Sequence, residues 1–344
     1  MAKLSIEDQL GTLKNLQTAS LQAGELEERL RPFLKQTNNL IVARAADVAR
    51  ELDARTLLPD LISAFEQFLA APHKSDPQCW AKSALSKALH HLGCDRSALF
   101  LQGTRTYQYE PTWGGQSEVA GTLRANCAHA LIDCHELTHQ ALLLHLLELV
   151  ADPDKSVRAE VLRAIAQAGG DSAGLLLRMR ALTATKDEDA AVIGQCFAGL
   201  LSLEGAAAIP FVAKFLSDQD DLSAEAAIAL GETRTPEALS ALLARLQKTD
   251  TPTENTRSRP RRLEGLLEPT FAAILLSSIA LTRQPAAVDT LLDMVAAESS
   301  YAEPAIEALA NAAFGQEVQQ RLAAVVARVD SPRITRAFQD HFSS

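Results

Sequence analysis

Five consecutive residues, His135-Glu136-Leu137-Thr138-His139, have H-E-x-x-H spacing. On a helix that spacing sets two imidazoles one turn apart to share a zinc ion, with the glutamate beside them to activate a metal-bound water. Cys127, His129, Cys134 and His145 enrich the neighbourhood in ligand types. The competing reading is a turn between two helices, with His135 and Glu136 as surface or capping groups. The turn is preferred: Asp133 puts a charge just upstream, no second motif supplies a third ligand, and residues 134–136 align with an interhelix turn. The expectation is therefore no catalytic residue, no cofactor and no stoichiometric zinc, with Cys127 and Cys134 as small buried hydrophobes.

A second concentration of useful side chains lies in residues 95–117, where Arg105, Tyr107, Tyr109, Glu110 and Trp113 gather in a chain otherwise poor in aromatic residues. Tyr, Trp and Arg are the usual anchors of protein interfaces. These five are the candidate partner-binding residues; the alternative is that the rings seal an irregular junction in the core. Residues 104–109 alternate as a strand would, and Glu110-Pro111 and Gly114-Gly115 read as turns. His90, His91 and Cys94 form another cluster, at a helix end where histidine meets the negative pole of the helix dipole. Arg257, Arg259, Arg261 and Arg262 sit in a polar, proline-containing stretch, residues 249–262, read as a mobile loop. No phosphate loop, G-x-G-x-x-G or G-x-S-x-G elbow is present.

Composition narrows the classes further. The 344 residues are 47% hydrophobic but only 5% aromatic, so a large core must be built from Ala and Leu, a helical composition. Lys and Arg number 33 against 43 Asp and Glu, a net charge of −10, which argues against general nucleic-acid or anionic-membrane binding and favours a basic protein partner. Five cysteines without a framework spacing suit reduced thiols. The amphipathic start MAKLSIEDQLGTLKNL is unlike a signal peptide, and no apolar run is expected to reach the roughly 18 residues of a membrane span. These features point to a soluble, cytoplasmic protein of bacterial type.

The elements that position these residues repeat. In residues 152–170, DPDKSVRAEVLRAIAQAGG, Asp152-Pro153 ends one helix, Ser156 is placed to cap the next, and Val157, Val161, Leu162, Ile165 and Ala168 form one stripe that Gly169-Gly170 stops. Sliding this unit back by 76 positions lays Asp76-Pro77 on Asp152-Pro153, Lys82 on Arg158, Leu85 on Val161, Leu89 on Ile165 and Gly93 on Gly169. Forward shifts keep the apolar stripe, through Val192, Cys196 and Leu200 and then Leu222, Ala226 and Leu230, while the polar positions drift. Partner helices lie between these copies. The expectation is an all-α chain, at least about 60% helical, forming one right-handed α-solenoid of about seven helical hairpins over residues 1–344, with residues 1–36 as an N-terminal cap.

A leucine-rich helix, Asp-Pro, a Val-Arg pair, an Ala-rich stripe and Gly together resemble HEAT repeats, including the HEAT-like repeats of phycobilin lyases. LLELVADPDKSVRAEVLRAIAQAGG is the best copy; KSDPQCWAKSALSKALHHLG and KFLSDQDDLSAEAAIALGETR are degraded ones. The resemblance covers most of residues 25–330 and implies a binding scaffold. Because the Arg158 position is Lys82, Ser223 and Ile193 elsewhere, the usual Asp/Arg ladder along the turns is expected to be largely missing. The functional expectation is a non-catalytic protein-interaction scaffold. Its rivals are a tetrapyrrole lyase or chaperone, which the phycobilin lyase resemblance implies, and a zinc hydrolase, for which the likeness to zincins is confined to HELTH.

Overall fold

A computed structural model describes residues 5–18, 23–185, 189–247, 268–312 and 314–342. The chain is all-α and solenoid-like, 78% helical, with helices packed mainly on their neighbours in sequence. Two compact units, Met1–Ala168 and Gly169–Ser344, divide the residues that were expected to form one solenoid. The proposed loop 249–262 and its four arginines lie outside the described residues.

The first unit contains α1 (Ile6–Thr18), α2 (Ala23–Leu34), α3 (Asn39–Glu51), α4 (Leu58–Ala70), α5 (Trp80–His91), α6 (Ser97–Thr104), α7 (Gly121–Ile132), α8 (His139–Leu149) and α9 (Lys155–Ala168). The odd-numbered helices form one row, each packed on the next, and each even-numbered helix packs on the odd-numbered helix that follows it. The second unit repeats this plan with α10 (Gly170–Leu182), α11 (Ala190–Glu204), α12 (Ile209–Val212), α13 (Asp221–Glu232), α14 (Pro236–Gln247), α15 (Pro269–Leu281), α16 (Pro285–Ala296), α17 (Ala302–Asn311), α18 (Gln316–Val329) and α19 (Pro332–Phe342). There the row is α11, α13, α15, α17 and α19.

The stripes are the core. Val157, Val161, Leu162 and Ile165 of α9 are each at most 1% exposed, as are the aligned Leu85 and Leu89 of α5. Gly93 and Gly169, superposed by the 76-residue shift, both have positive φ, 81° and 76°, so the shared glycine serves a shared backbone need. Capping differs from expectation at α9. Ser156 lies inside the helix and donates its N–H to Asp154 at 2.8 Å, while the Asp154 N–H goes to Asp152 at 2.9 Å. An Asp tandem has taken the place of the serine, because the Asp154 carboxylate, two residues earlier at the helix start, reaches the free amide first.

Three further expectations are corrected. Residues 97–104, read as part of an irregular insertion, form α6, packed on α7. The strand expected at residues 104–109 occurs later, as β1 (Tyr109–Thr112) paired antiparallel with β2 (Gly115–Glu118), Tyr109 opposite Glu118 and Thr112 opposite Gly115. Among the described residues one helical run, Ala190–Leu216, is long and apolar enough to cross a membrane, contrary to the expectation of none; half of its most apolar window is buried in this fold. Gly205, at φ 58°, breaks the run after α11, and both parts pack on α13.

Candidate functional site

The base of the β-hairpin is held by a chain of buried polar groups that starts in the repeats. Asp76, fully buried, accepts the Ala81 and Lys82 amides at 2.9 and 3.1 Å, which caps α5, and takes the Asn39 amide group from α3 at 3.1 Å. Lys82, 2% exposed, bonds Asp76 at 3.3 Å and donates to the Gln108 side-chain carbonyl at 2.8 Å. Gln108 is itself fully buried; its amide nitrogen donates to the Asp76 carbonyl at 2.8 Å and to Glu110 at 2.7 Å. A buried amide at the root of the hairpin is thus satisfied at both ends.

Arg124 of α7 makes the second anchor. Its guanidinium, 0% exposed, forks onto Asp152 at 2.8 and 3.0 Å and also reaches Glu118 at 2.8 Å and the Thr106 carbonyl at 3.1 Å. Two carboxylates raise its pKa despite burial, which opposes the charge. Burial opposes ionisation of Glu118 too. The hydrogen bonds from Arg124 and from the Gln108 and Ala120 amides outweigh it, and the Glu118 pKa falls below its usual value. A polar ladder therefore does run along the turns of the first unit, against expectation. It uses Asn39, Asp76, Lys82, Gln108, Glu118, Arg124 and Asp152, because the ligand of Asp152 comes from α7, while Arg158, at the repeat position, donates to the Asp152 and Pro153 carbonyls.

The lowered Glu118 pKa makes a pH prediction. Glu118 titrates near 4.5 when unfolded and lower when folded, so its stabilising contribution is present above 4.5 and lost as the pH falls through the folded value. Glu118→Gln should melt below wild type at neutral pH, with the gap closing under acid. A gap that does not change with pH would remove Glu118 from the ladder.

Above this base the five expected binding residues separate. Tyr107 lies over the Arg124 guanidinium, 4.1 Å from its carbon to the ring centre, and its hydroxyl donates to Asp152 at 3.3 Å. Burial first, then the Asp152 charge, raises its pKa. Tyr107 is thus mainly part of the anchor. Glu110 accepts the Gln78 backbone and side-chain N–H groups at 2.7 Å each. With the Gln108 bond, these lower its pKa against a burial penalty, so its carboxylate orients the hairpin. Arg105 faces Glu148 of α8 across 3.6 Å at the surface. Tyr109, 55% exposed, and Trp113, 106% exposed, project freely, Trp113 at the turn beside Gly114, whose φ is 94°.

Sequence reasoning missed Trp80, half-exposed at the start of α5 and two residues from the Gln78 that grips Glu110. Gln78 and Cys79 hold left-handed φ values of 58° and 56°, a cost for non-glycine residues that the Glu110 bonds offset. The doubled Asp-Pro was the available signal, since it marks where the chain turns beneath this surface.

HELTH lies elsewhere in the same unit, across the α7–α8 turn. Thr138 caps α8 by accepting the Ala141 amide at 3.2 Å, so His139 opens the helix while His135 and Glu136 precede it. The one-turn spacing of the two imidazoles is therefore not formed. Glu136 caps α6, accepting the Ser97 amide at 3.1 Å and its hydroxyl at 2.6 Å; Asp95 accepts the His135 amide at 2.6 Å. Glu136→Ala should cost about 1 kcal/mol for the lost cap, whereas His135→Ala, at an exposed side chain, should stay within about 0.5 kcal/mol. Urea melts of the two variants check this, and equal losses would refute the capping role. Among the described residues no group of three or more His, Cys, Asp or Glu side chains converges to hold a metal ion. Compared with protein-family models and with curated proteins, the chain matches none of them.

Proposed function

We propose that this protein is a non-catalytic interaction scaffold of the HEAT-repeat kind, with the β-hairpin as its docking element and another protein as its partner. The observation that carries the reading is Trp113, a large apolar side chain fully in solvent at the end of a hairpin whose base is fixed by Lys82 and Arg124. Indole and phenol rings bury much apolar area for little conformational entropy, and a rigid mount reduces the ordering cost of binding. Between Pro111 and Ser117 the hairpin carries no charge, so it suits an apolar pocket; the net charge of −10 adds long-range attraction for a basic partner. Five buried cysteines, none of them in a disulfide, fit a reducing cytoplasmic setting.

The test is affinity capture from the native host with the wild-type chain and Trp113→Ala side by side, identifying retained proteins by mass spectrometry. A protein retained by the first and lost from the second supports the reading. Equal retention of every partner by a folded Trp113→Ala chain removes the hairpin from it.

A further inference from the structure

Two successive interhelix turns of the first unit lie side by side and are fastened on both flanks of a cysteine pair. On one flank, His90 meets Asp133 at 2.7 Å. On the other, the Asp95 carboxylate takes the His135 amide at 2.6 Å and lies 3.4 Å from its ring, while Glu136 takes the Ser97 amide and hydroxyl. Cys94 falls between His90 and Asp95 in the first turn, and Cys134 falls between Asp133 and His135 in the second. Each is 4% exposed, so both side chains are buried beside the contact between the turns, and the Cys134 thiol donates to the Ala130 carbonyl at 3.4 Å. A disulfide needs Cα atoms within about 7 Å; the contacts that bracket the pair on both sides draw the two turns together around it.

We propose that Cys94 and Cys134 form an intrachain disulfide when the protein meets hydrogen peroxide, closing a covalent ring around α6, the β-hairpin and α7. The ring spans about 40 residues, a length at which cross-linking removes substantial freedom from the unfolded chain. It encloses Tyr109 and Trp113, so the bond ties together both ends of the segment that presents them. The remaining cysteines, Cys79, Cys127 and Cys196, are fully buried and stay as thiols.

The roles of the two sulfurs follow from their surroundings. Both thiols are raised by burial first, Cys134 to about 12, with Asp95, Cys94, Glu136 and Asp133 adding to the effect. Asp95 and Glu136 also raise Cys94, but the Arg96 backbone N–H and the Arg96 charge work in the opposite direction there, which favours Cys94 as the first nucleophile. Its thiolate attacks one peroxide oxygen; the O–O bond breaks, water leaves after protonation, and a sulfenic acid remains. The Cys134 thiolate then attacks that sulfur and expels the hydroxyl, protonated to a second water. In total two thiols and one peroxide give one disulfide and two waters. Burial and the carboxylates make the reaction slow, as suits a response to sustained oxidant.

The experiment treats the folded chain with hydrogen peroxide at mildly alkaline pH, blocks the remaining thiols with an alkylating agent under denaturing conditions, and maps the unreduced digest by mass spectrometry. A linked peptide joining Cys94 to Cys134, alkylation at the other three positions, and a melting temperature that rises and falls back with dithiothreitol are expected. The rise should vanish in Cys94→Ser and Cys134→Ser, while the wild-type map needs neither variant to fold. Alkylation of all five cysteines after treatment, linkage to any other cysteine, or Cys94 carried to the sulfinic acid with Cys134 still a thiol would each overturn the proposal.

Discussion

Arg124→Met is expected to remove about 3–5 kcal/mol of stability, the range for taking one partner from a buried ion pair. The magnitude follows from what is left behind. Asp152 and Glu118 would keep their negative charges, 0% and 14% exposed, with the guanidinium that served both gone. The Thr106 carbonyl would lose its donor and the Tyr107 ring its cation. Methionine fills similar volume, so the loss reports charge and hydrogen bonding and not a cavity. Adding Asp152→Asn should return part of the loss, since the second change removes the stranded charge; the two effects should be strongly non-additive. Urea titration of the four proteins measures this. A single-variant loss under about 0.5 kcal/mol, the scale of ordinary surface changes, would mean that the ladder does not hold the hairpin.

Trp113→Ala should do the reverse, leaving melting almost unchanged and costing about 2 kcal/mol or more in partner affinity, roughly thirtyfold. The ring is fully in solvent, so the folded chain loses no packing with it. Tyr107→Ala supplies the contrast. Its ring covers Arg124 and its hydroxyl reaches Asp152, so it should lower stability first and binding only as a consequence. Melting and capture measured on both proteins separate an anchor from a cover. A destabilised Trp113→Ala chain, or one that is intact and still binds fully, would remove Trp113 as the anchor.

The helical stripes were legible in the sequence because a period of 3.6 and a positive-φ glycine are local properties, and Ile165, Leu89, Gly93 and Gly169 behave as their spacing implies. The α6 helix was not. SALFLQGT is short and has no clean polar face, since Ser97, Leu99, Phe100, Gly103 and Thr104 are all buried. The strand was placed about five residues early, and its pairing into a hairpin was not foreseen: Thr104–Tyr109 alternates in residue type, but Gln108 turns inward to Lys82 and pairing begins only at Tyr109. The ladder was missed for another reason. Its bonds join residues 26 and 28 positions apart, Lys82 to Gln108 and Arg124 to Asp152, and a comparison of equivalent repeat positions looks past such partners. Of the five candidate site residues, Tyr109 and Trp113 are exposed without a tie of the kind that holds Tyr107 and Glu110, while Arg105 is exposed but paired with Glu148.

The position of Trp113 also gives the molecule a built-in optical label. The chain has two tryptophans, and one of them is wholly hydrated while Trp80 is half-covered. Emission from the unbound protein should therefore be dominated on its red side by an indole open to collisional quenchers. A partner that encloses that indole should shift the emission toward the blue and shield it from iodide, so docking can be followed in solution without attaching a dye, and Trp113→Ala should abolish the change.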